Sequence, residues 1–196
     1  NVSWSQNTLN DYLYPTDGLQ NSLSAGISLP LGDYRYFDIN ANHKSYRPVS
    51  ETVTLKLTGD LNLSKGYNGK QLPFYKRNFG GGSGSVRGFG NKTLGPLYPN
   101  GKAKGGEIAI LGSVNLITPA FFFDDNDKMR MSAFIDAGNI YEKSSNIKLG
   151  DIRMSAGLGF AYLSPIGSIG AFISSPILKK DGDTIENFGF SLGTGF

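Results

Sequence analysis

Polar and apolar residues alternate without interruption from Glu51 to Leu63. Apolar side chains or glycine occupy one set of alternate positions, and polar or charged side chains occupy the other. The first set is Val53, Leu55, Leu57, Gly59, Leu61 and Leu63, and the second is Thr52, Thr54, Lys56, Thr58, Asp60 and Asn62. A period of two places these sets on opposite faces of a β-strand, whereas a helix would mix them. The segment therefore predicts a long strand with one apolar and one polar face.

The same alternation recurs along the whole chain. It is found at Val2–Thr8, Ser22–Leu29, Phe37–His43, Glu107–Leu116, Met129–Ala137, Ile152–Tyr162, Ile169–Ile173 and Phe188–Phe196. Turn residues separate these segments, for example at Pro15–Gly18 and Ser164–Gly167. We therefore predict an all-β, antiparallel chain of about eight to nine strands, with no helix and no domain break.

Composition excludes several classes of protein. The chain has no Cys, which excludes a disulfide scaffold, a thiolate zinc site and a thiol nucleophile. The net charge of +3 is a small excess with no basic cluster beyond Lys179-Lys180, so we expect no nucleic-acid partner. No apolar run approaches the roughly 20 residues that a membrane helix needs.

Two kinds of sheet protein remain open, a soluble sandwich or barrel and a transmembrane β-barrel. Several alternating segments reach the roughly 10 residues that a tilted strand needs to cross a bilayer. Soluble strands average only about 5–6 residues. Ser, Gly, Thr and Ala on the more polar face also suit a lumen better than a packed core. The pattern favours a transmembrane β-barrel.

The C-terminal segment strengthens this interpretation. Phe188, Phe190, Leu192 and the terminal Phe196 share one face of the predicted strand. An aromatic residue at the end of such a strand lies in the interfacial girdle of a membrane barrel. An ordinary edge strand is the alternative. The segment resembles the C-terminal signal strand of bacterial outer-membrane barrels, which the assembly machinery recognises.

A long glycine-rich loop is predicted at 64–104. Its middle contains Gly80-Gly81-Gly82-Ser83-Gly84-Ser85-Val86-Arg87-Gly88-Phe89. A phosphate-binding loop is excluded because no Gly-Lys-Ser/Thr closes it and no helix follows. The Val86-Arg87-Gly88-Phe89 motif behind Gly-Gly-x-x-Ser resembles the hallmark of the BamA family, the central subunit of the barrel assembly machinery. Further segments resemble that family in the same order: Tyr14–Gly18, Leu116–Pro119, Phe134–Gly138, Arg153–Gly157 and Ser164–Gly167.

The resemblance implies a fold, a location and a function. It implies that residues 1–196 are the C-terminal part of a single sixteen-stranded barrel integral to the bacterial outer membrane, without its first strand and its periplasmic POTRA domains. The function implied is non-enzymatic: insertion of outer-membrane proteins through a lateral gate, here at Asn187–Phe196. The implied partners are outer-membrane lipid, nascent outer-membrane proteins and, through domains absent here, the lipoprotein subunits of the machinery. The alternatives are a TamA-like or two-partner secretion barrel and a passive outer-membrane barrel.

The resemblance also implies a role for the loop motif. In BamA-like proteins this loop folds into the lumen, and its arginine, here Arg87, meets acidic residues on the barrel wall. Asp136 has the inward parity of such a partner. A second acidic position of the family aligns with Asn115, whose amide accepts a hydrogen bond but carries no charge. Gly88 is expected to allow a close backbone approach, and Phe89 is expected to pack inside the lumen.

Other candidate sites are weaker, and we expect no catalytic residue, no metal site and no cofactor. His43, the single histidine, shares the outward parity of neighbouring apolar residues, so an interfacial side chain is favoured over a catalyst. Asp124, Asp125 and Asp127 lack the spacing of a calcium loop and indicate a solvated turn.

Two unpaired edges remain when a barrel is cut in half, which is unfavourable in lipid. Self-closure, edge-to-edge dimerisation and aggregation are all open. We favour closure into an eight-stranded barrel that sheds the first strand and expels the long loop.

Overall fold

The computed structural model describes residues 1–29, 34–122, 128–164 and 167–193. Within these ranges the strands are β1 (Val2–Asn7), β2 (Gly18–Ile27), β3 (Tyr36–Pro48), β4 (Thr54–Gly66), β5 (Gly88–Phe89), β6 (Ile108–Pro119), β7 (Met129–Tyr141), β8 (Arg153–Ser164), β9 (Gly167–Leu178), β10 (Ile185–Glu186) and β11 (Phe188–Gly193). Short 3-10 turns lie at Phe74–Lys76, Ser144–Asn146 and Leu149–Asp151. None of the described helical segments is long and apolar enough to cross a membrane.

One antiparallel sheet contains nine of these strands, in the order β1-β2-β3-β4-β6-β7-β8-β9-β11. The predicted all-β, antiparallel fold class is therefore confirmed. Each predicted strand corresponds to one observed strand, although several boundaries differ by a few residues. The segment predicted at Glu51–Leu63 starts pairing only at Thr54, because the residues just before it form a turn. In this turn the backbone N–H groups of Val49 and Ser50 donate to the carbonyl of Val53. Phe196 lies outside the described residues.

The two faces of the sheet have opposite character. We call the face that carries Asp136 the inner face and the opposite one the outer face. On the outer face, Leu61, Leu158 and Ile173 are 55%, 56% and 57% exposed. Polar side chains of the inner face are instead buried, among them Lys56, Asn115, Ser132, Asp136 and Ser155. A soluble sheet would bury its apolar side and wet its polar one, whereas a membrane barrel presents the apolar side to lipid.

The connections between strands divide between the two ends of the sheet. Because neighbouring strands are antiparallel, the β2–β3, β4–β6, β7–β8 and β9–β11 connections share one end, and the others share the opposite end. The longest connection, residues 67–107, joins β4 to β6. We call it the long loop; its predicted range was 64–104, and β4 extends further than the alternation indicated.

The long loop supplies much of the hydrophobic core. Val86, Phe89 and Leu94 of this loop are fully buried with Ala109 of β6 and Ile140 of β7. The core therefore lies between the loop and the inner face, not between two sheets. Packing of this kind fixes a glycine-rich loop that has little regular structure of its own.

The prediction that the chain closes on itself and expels the loop is wrong. Strand β1 is not shed, because it pairs with β2 from Val2 to Asn7. Among the described residues the sheet ends at β1 on one side and at β11 on the other. Small residues on the inner face suggested a narrow lumen, but in the structure two of them make room for the loop. Ser155 and Ser174 lie against Gly88 of the loop. The seated loop occupies the space that closure would have removed.

Candidate functional site

Arg87 is held on the inner face by a network of acceptors. Its Nε donates to Asp136 Oδ2 at 2.7 Å, and its Nη2 donates to Asp136 Oδ1 at 2.7 Å. Nη2 also donates to Asn115 Oδ1 at 2.8 Å and to Ser113 Oγ at 3.2 Å. The structure thus brings together Arg87, Asp136 and Asn115, the three residues that the sequence singled out as a loop anchor.

Strand register explains why these side chains meet. Ser113 of β6 lies directly opposite Asp136 of β7, and Asn115 lies opposite Phe134. Side chains on alternate residues share a face, so all four point toward the loop. The Phe134 ring lies beneath the guanidinium, with its centroid 3.3 Å from Arg87 Cζ, in position for a cation–π interaction.

The ion pair is buried. The Asp136 side chain is fully buried, and the Arg87 side chain is 12% exposed. Two parallel hydrogen bonds between a guanidinium and a carboxylate fix the relative orientation of both groups. Loss of one partner would leave the other charge buried without compensation, which costs about 3–5 kcal/mol.

Asn115 completes the network without adding charge. Besides accepting from Arg87, it donates through Nδ2 to Ser113 Oγ at 2.8 Å. Ser113 in turn donates to Asp136 Oδ1 at 2.5 Å. The amide therefore does what a carboxylate at this position could not, because it both accepts from Arg87 and donates to Ser113.

The backbone of the motif is held as tightly as its side chain. Arg87 N–H donates to Asp136 Oδ2 at 3.0 Å, and Ser155 Oγ donates to the Arg87 carbonyl. Gly88 follows with φ +90°, and a Cβ there would lie 3.1 Å from Ser174 Oγ. Sequence reasoning missed Ser155 as a contact, although it is the register partner of Asp136 on β8. Its inward parity was the signal that could have found it.

Two further ion pairs tie the ends of the long loop to the wall. Lys76 Nζ lies 3.3 Å from Asp38 Oδ1 of β3, and Lys104 Nζ lies 2.5 Å from Glu142 Oε1 just beyond β7. The hydrogen bond from Lys104 holds the pKa of the Glu142 carboxyl below its usual value. Both pairs are more exposed to solvent than the Arg87 pair. Each therefore contributes less to the stability of the seated loop than the Arg87 pair does.

The other sequence candidates lie away from this network. Phe188, Phe190 and Leu192 are on the outer face of β11, more than half exposed, and the first two rings meet edge to face with centroids 4.7 Å apart. His43 is exposed on β3, with Nδ1 2.7 Å from Asn21 Oδ1. Asp124, Asp125 and Asp127 lie outside the described residues. Among the residues that are described, no cluster of three or more His, Asp or Glu side chains could hold a metal.

Comparison with known proteins identifies the class to which this sheet and its seated loop belong. A model of the Omp85 superfamily domain matches residues 1–196, and the chain belongs to that superfamily. Within it, the chain is 32% identical to the outer membrane protein assembly factor BamA of Neisseria meningitidis serogroup B over 224 residues, which cover 100% of this chain and 28% of that protein. A SAM50-like protein of Schizosaccharomyces pombe is 28% identical over 154 residues, covering 74% of this chain and 32% of that protein.

A solved structure leads to the same group. The crystal structure of BamA from Haemophilus ducreyi lacking POTRA domains 1-3 matches with a TM-score of 0.86 and 30% identity, covering 96% of this chain and 40% of that one. The chain thus spans less than half the length of these relatives. The resemblance to the BamA family is confirmed, and the protein is integral to the bacterial outer membrane. The Neisseria relative is named an outer membrane protein assembly factor, and the Haemophilus structure is also of BamA.

Proposed function

We propose that the protein acts in the assembly of outer-membrane β-barrel proteins and does so without enzymatic chemistry. The observation that carries this proposal is the seating of the Arg87 loop on the inner face of the sheet. The relatives of the chain include an outer membrane protein assembly factor, which supports the same function. Neither the fold nor the relatives favour the alternatives, a TamA-like or two-partner secretion barrel and a passive barrel.

The chemistry of assembly on this scheme is backbone pairing. Strand β11 pairs with β9, and within the described residues its other edge has no partner strand. Backbone N–H and C=O groups at such an edge have no substitute partners in lipid, so they attract an incoming strand strongly. Pairing of a nascent outer-membrane strand with this edge, followed by its release into the bilayer, requires no nucleotide and no cofactor.

The outer face of β11 suits this role. Phe188, Phe190 and Leu192 are exposed there and provide an apolar surface beside the edge. On the inner side, the Arg87 anchor keeps the long loop against β6, β7 and β8. Nascent outer-membrane proteins and lipoprotein subunits of an assembly machinery are the proposed partners.

Depletion of the intact protein in its own bacterium tests the proposal. We expect the amount of folded, heat-modifiable β-barrel protein in the outer membrane to fall severalfold, while inner-membrane proteins insert normally. The wild-type gene restores the barrels, and a gene carrying Arg87→Gln restores them only poorly. Unchanged barrel levels after full depletion would refute the assembly function.

Arg77 provides the matched control. It lies in the same loop, but its Nη1 donates to the backbone carbonyl of Lys104 and not to the wall network. We expect Arg77→Gln to restore barrel assembly like the wild type. Equal defects in the two variants would show that the loop tolerates no loss of charge, and Arg87 would then have no special role.

A further inference from the structure

A second buried ion pair joins the wall to the connection that precedes the last strand. Arg153 is the first residue of β8, and Asp183 lies between β9 and β10. Arg153 Nε donates to Asp183 Oδ2 at 3.1 Å, and Nη2 donates to Asp183 Oδ1 at 2.9 Å. The side chains are 10% and 7% exposed. This bidentate pair is therefore shielded from water, unlike most ion pairs near a loop.

The remaining hydrogen bonds of the pair fix it further. Arg153 Nη1 donates to Asn139 Oδ1 of β7 at 2.8 Å and to the Asp151 carbonyl at 3.1 Å. Asp183 Oδ2 also accepts from the backbone N–H of Lys180 at 2.7 Å. The pair thus ties the connection to β7 and β8, the same strands that hold the Arg87 loop.

The connection is also bonded directly to the Arg87 loop. Strand β10 pairs antiparallel with β5, so Ile185 lies opposite Phe89 and Glu186 lies opposite Gly88. One residue further, Gly90 N–H donates to the Thr184 carbonyl at 2.8 Å. The ladder begins at the residue immediately after Arg87, so the loop cannot shift on the wall without moving β10.

Very little chain separates this ladder from the last strand. Asn187 alone stands between β10 and β11, and one extended residue spans at most about 3.6 Å. Asn187 is itself bonded to β9, because Ser174 N–H donates to its carbonyl at 2.7 Å and its Nδ2 donates to the Ser174 carbonyl at 2.8 Å. Strand β11 therefore cannot leave β9 without pulling on β10 and, through it, on the loop.

We propose that the Arg153–Asp183 pair and the β5–β10 ladder form a latch that couples the seating of the Arg87 loop to the pairing of β11 with β9. In this latch Arg153 and Asp183 are positioning residues, since they act on the last strand through β10. Its use as a control on strand release rests on the proposed assembly function, whereas the coupling itself does not. Release of the Arg87 loop from the inner face weakens the pairing of β11 with β9. Release of β11 from β9 in turn weakens the contact of the loop with the inner face.

Hydrogen exchange of the intact protein in lipid bilayers tests the coupling in both directions. In Asp183→Asn we expect the Gly90 and Ser174 amides to exchange about tenfold faster, because their acceptors lie on either side of β10. In Arg87→Gln we expect faster exchange at Gly90 and also across residues 188–193, because coupling between two sites is reciprocal.

Asp151 supplies the matched control. Its carboxylate pairs with Lys180 in the same region, but that pair is partly exposed and lies outside the ladder. The substitution changes only the side chain, so the Asp151 carbonyl that accepts from Arg153 stays in place. We expect Asp151→Asn to change these exchange rates less than about twofold. Faster exchange of similar size in Asp151→Asn and Asp183→Asn would overturn the latch, because any loss of charge would then act alike.

The Arg87→Gln arm decides the question even where Asp183→Asn fails to fold. Faster exchange at Gly90 with wild-type rates at residues 188–193 would overturn the proposal, since the loop would then move independently of the last strand. These measurements need no assembly activity. Coupled exchange in a protein whose depletion leaves barrel levels unchanged would support the latch and refute only the assembly function.

Discussion

Arg87 anchors the long loop through the shape of its guanidinium group as well as through its charge. One guanidinium contacts both oxygens of Asp136 and reaches Asn115 and Ser113 as well. A lysine could not make these contacts together, because an ammonium is a point charge on a flexible stem. A positive charge at this position is therefore not sufficient, and the network requires arginine.

A double-mutant cycle measures the Arg87–Asp136 interaction. We expect Arg87→Gln and Asp136→Asn each to cost about 3–5 kcal/mol in free energy of unfolding, because each leaves a buried partner unpaired. The double variant should cost less than the sum by about 1–3 kcal/mol. Urea unfolding of the intact protein in detergent gives these values. Strictly additive losses would mean that the two side chains do not interact.

Gly88 is required for a different reason, the conformation of its backbone. Its φ is +90°, and a Cβ would lie 3.1 Å from Ser174 Oγ and 3.3 Å from Ser155 Cβ. We expect Gly88→Ala to destabilise the seated loop by about 1–3 kcal/mol, detected as faster proteolysis within residues 67–107. Gly84→Ala is the control, because nothing lies within 4 Å of a Cβ there. Equal proteolysis of the two variants would contradict this argument.

The family resemblance and strand parity together placed the main partners of Arg87 at the level of single residues. Asp136 and Asn115 were predicted on the inner face because alternation fixes the side on which each strand residue lies. Ser155 and the Arg153–Asp183 pair were not predicted. Their contacts depend on where an irregular loop and a short connection pass over the wall, and no periodicity encodes that path.

Among the elements, the long strands were the easiest to predict and the two-residue strands the hardest. Strands such as β4 and β7 carry many repeats of the alternation, so small boundary errors did not hide them. Strands β5 and β10 are too short for any repeat to be recognised. They form because the seated loop brings Gly88 and Phe89 alongside the connection, which is a consequence of tertiary structure.

The tether at the end of the long loop should respond to acid. The hydrogen bond from Lys104 lowers the pKa of the Glu142 carboxyl, burial opposes this, and the charge of Lys104 adds to it. A carboxyl with a depressed folded pKa stabilises the loop above its ordinary value of 4.5 and loses that contribution as pH falls through the folded value. We therefore expect the tether to be intact at neutral pH and to release in acid.

The exchange protection of the Glu107 amide reports on this tether, because that amide donates to the Glu142 carbonyl at 3.3 Å. After correction for intrinsic rates, protection should fall below pH 4.5 in the wild type. Glu142→Gln should show low protection at neutral pH and no acid step. An acid step of equal size in this variant would assign the titration to another group.

At the scale of the whole molecule, the strand pattern does not predict whether the long loop packs on the inner face of the sheet. Alternation predicted the sheet, and small inner-face residues suggested that it closes tightly. The loop core of Val86, Phe89 and Leu94 instead fills the inner side, and among the described residues the sheet ends at β1 and β11. The apolar residues inside the loop, and the resemblance of its motif to a family whose loop folds into the lumen, were the sequence signals that opposed expulsion.

The orientation of the molecule in the membrane follows from the division of its connections. Outer-membrane barrels place longer loops outside and short turns in the periplasm, so we predict that the long loop faces the exterior and the β3–β4 turn faces the periplasm. These 196 residues contain no Cys, so each introduced cysteine is the one thiol of this segment, and the unsubstituted protein measures the labelling background. Lys102 of the long loop and Thr52 of the turn are both exposed.

We expect a membrane-impermeant maleimide to label Lys102→Cys in intact cells and to label Thr52→Cys only after the outer membrane is permeabilised. Labelling of both variants in permeabilised cells is the control that each thiol is accessible. The reverse pattern would place the long loop in the periplasm. Under the proposed function, a nascent strand would then reach β11 from the opposite end of the sheet.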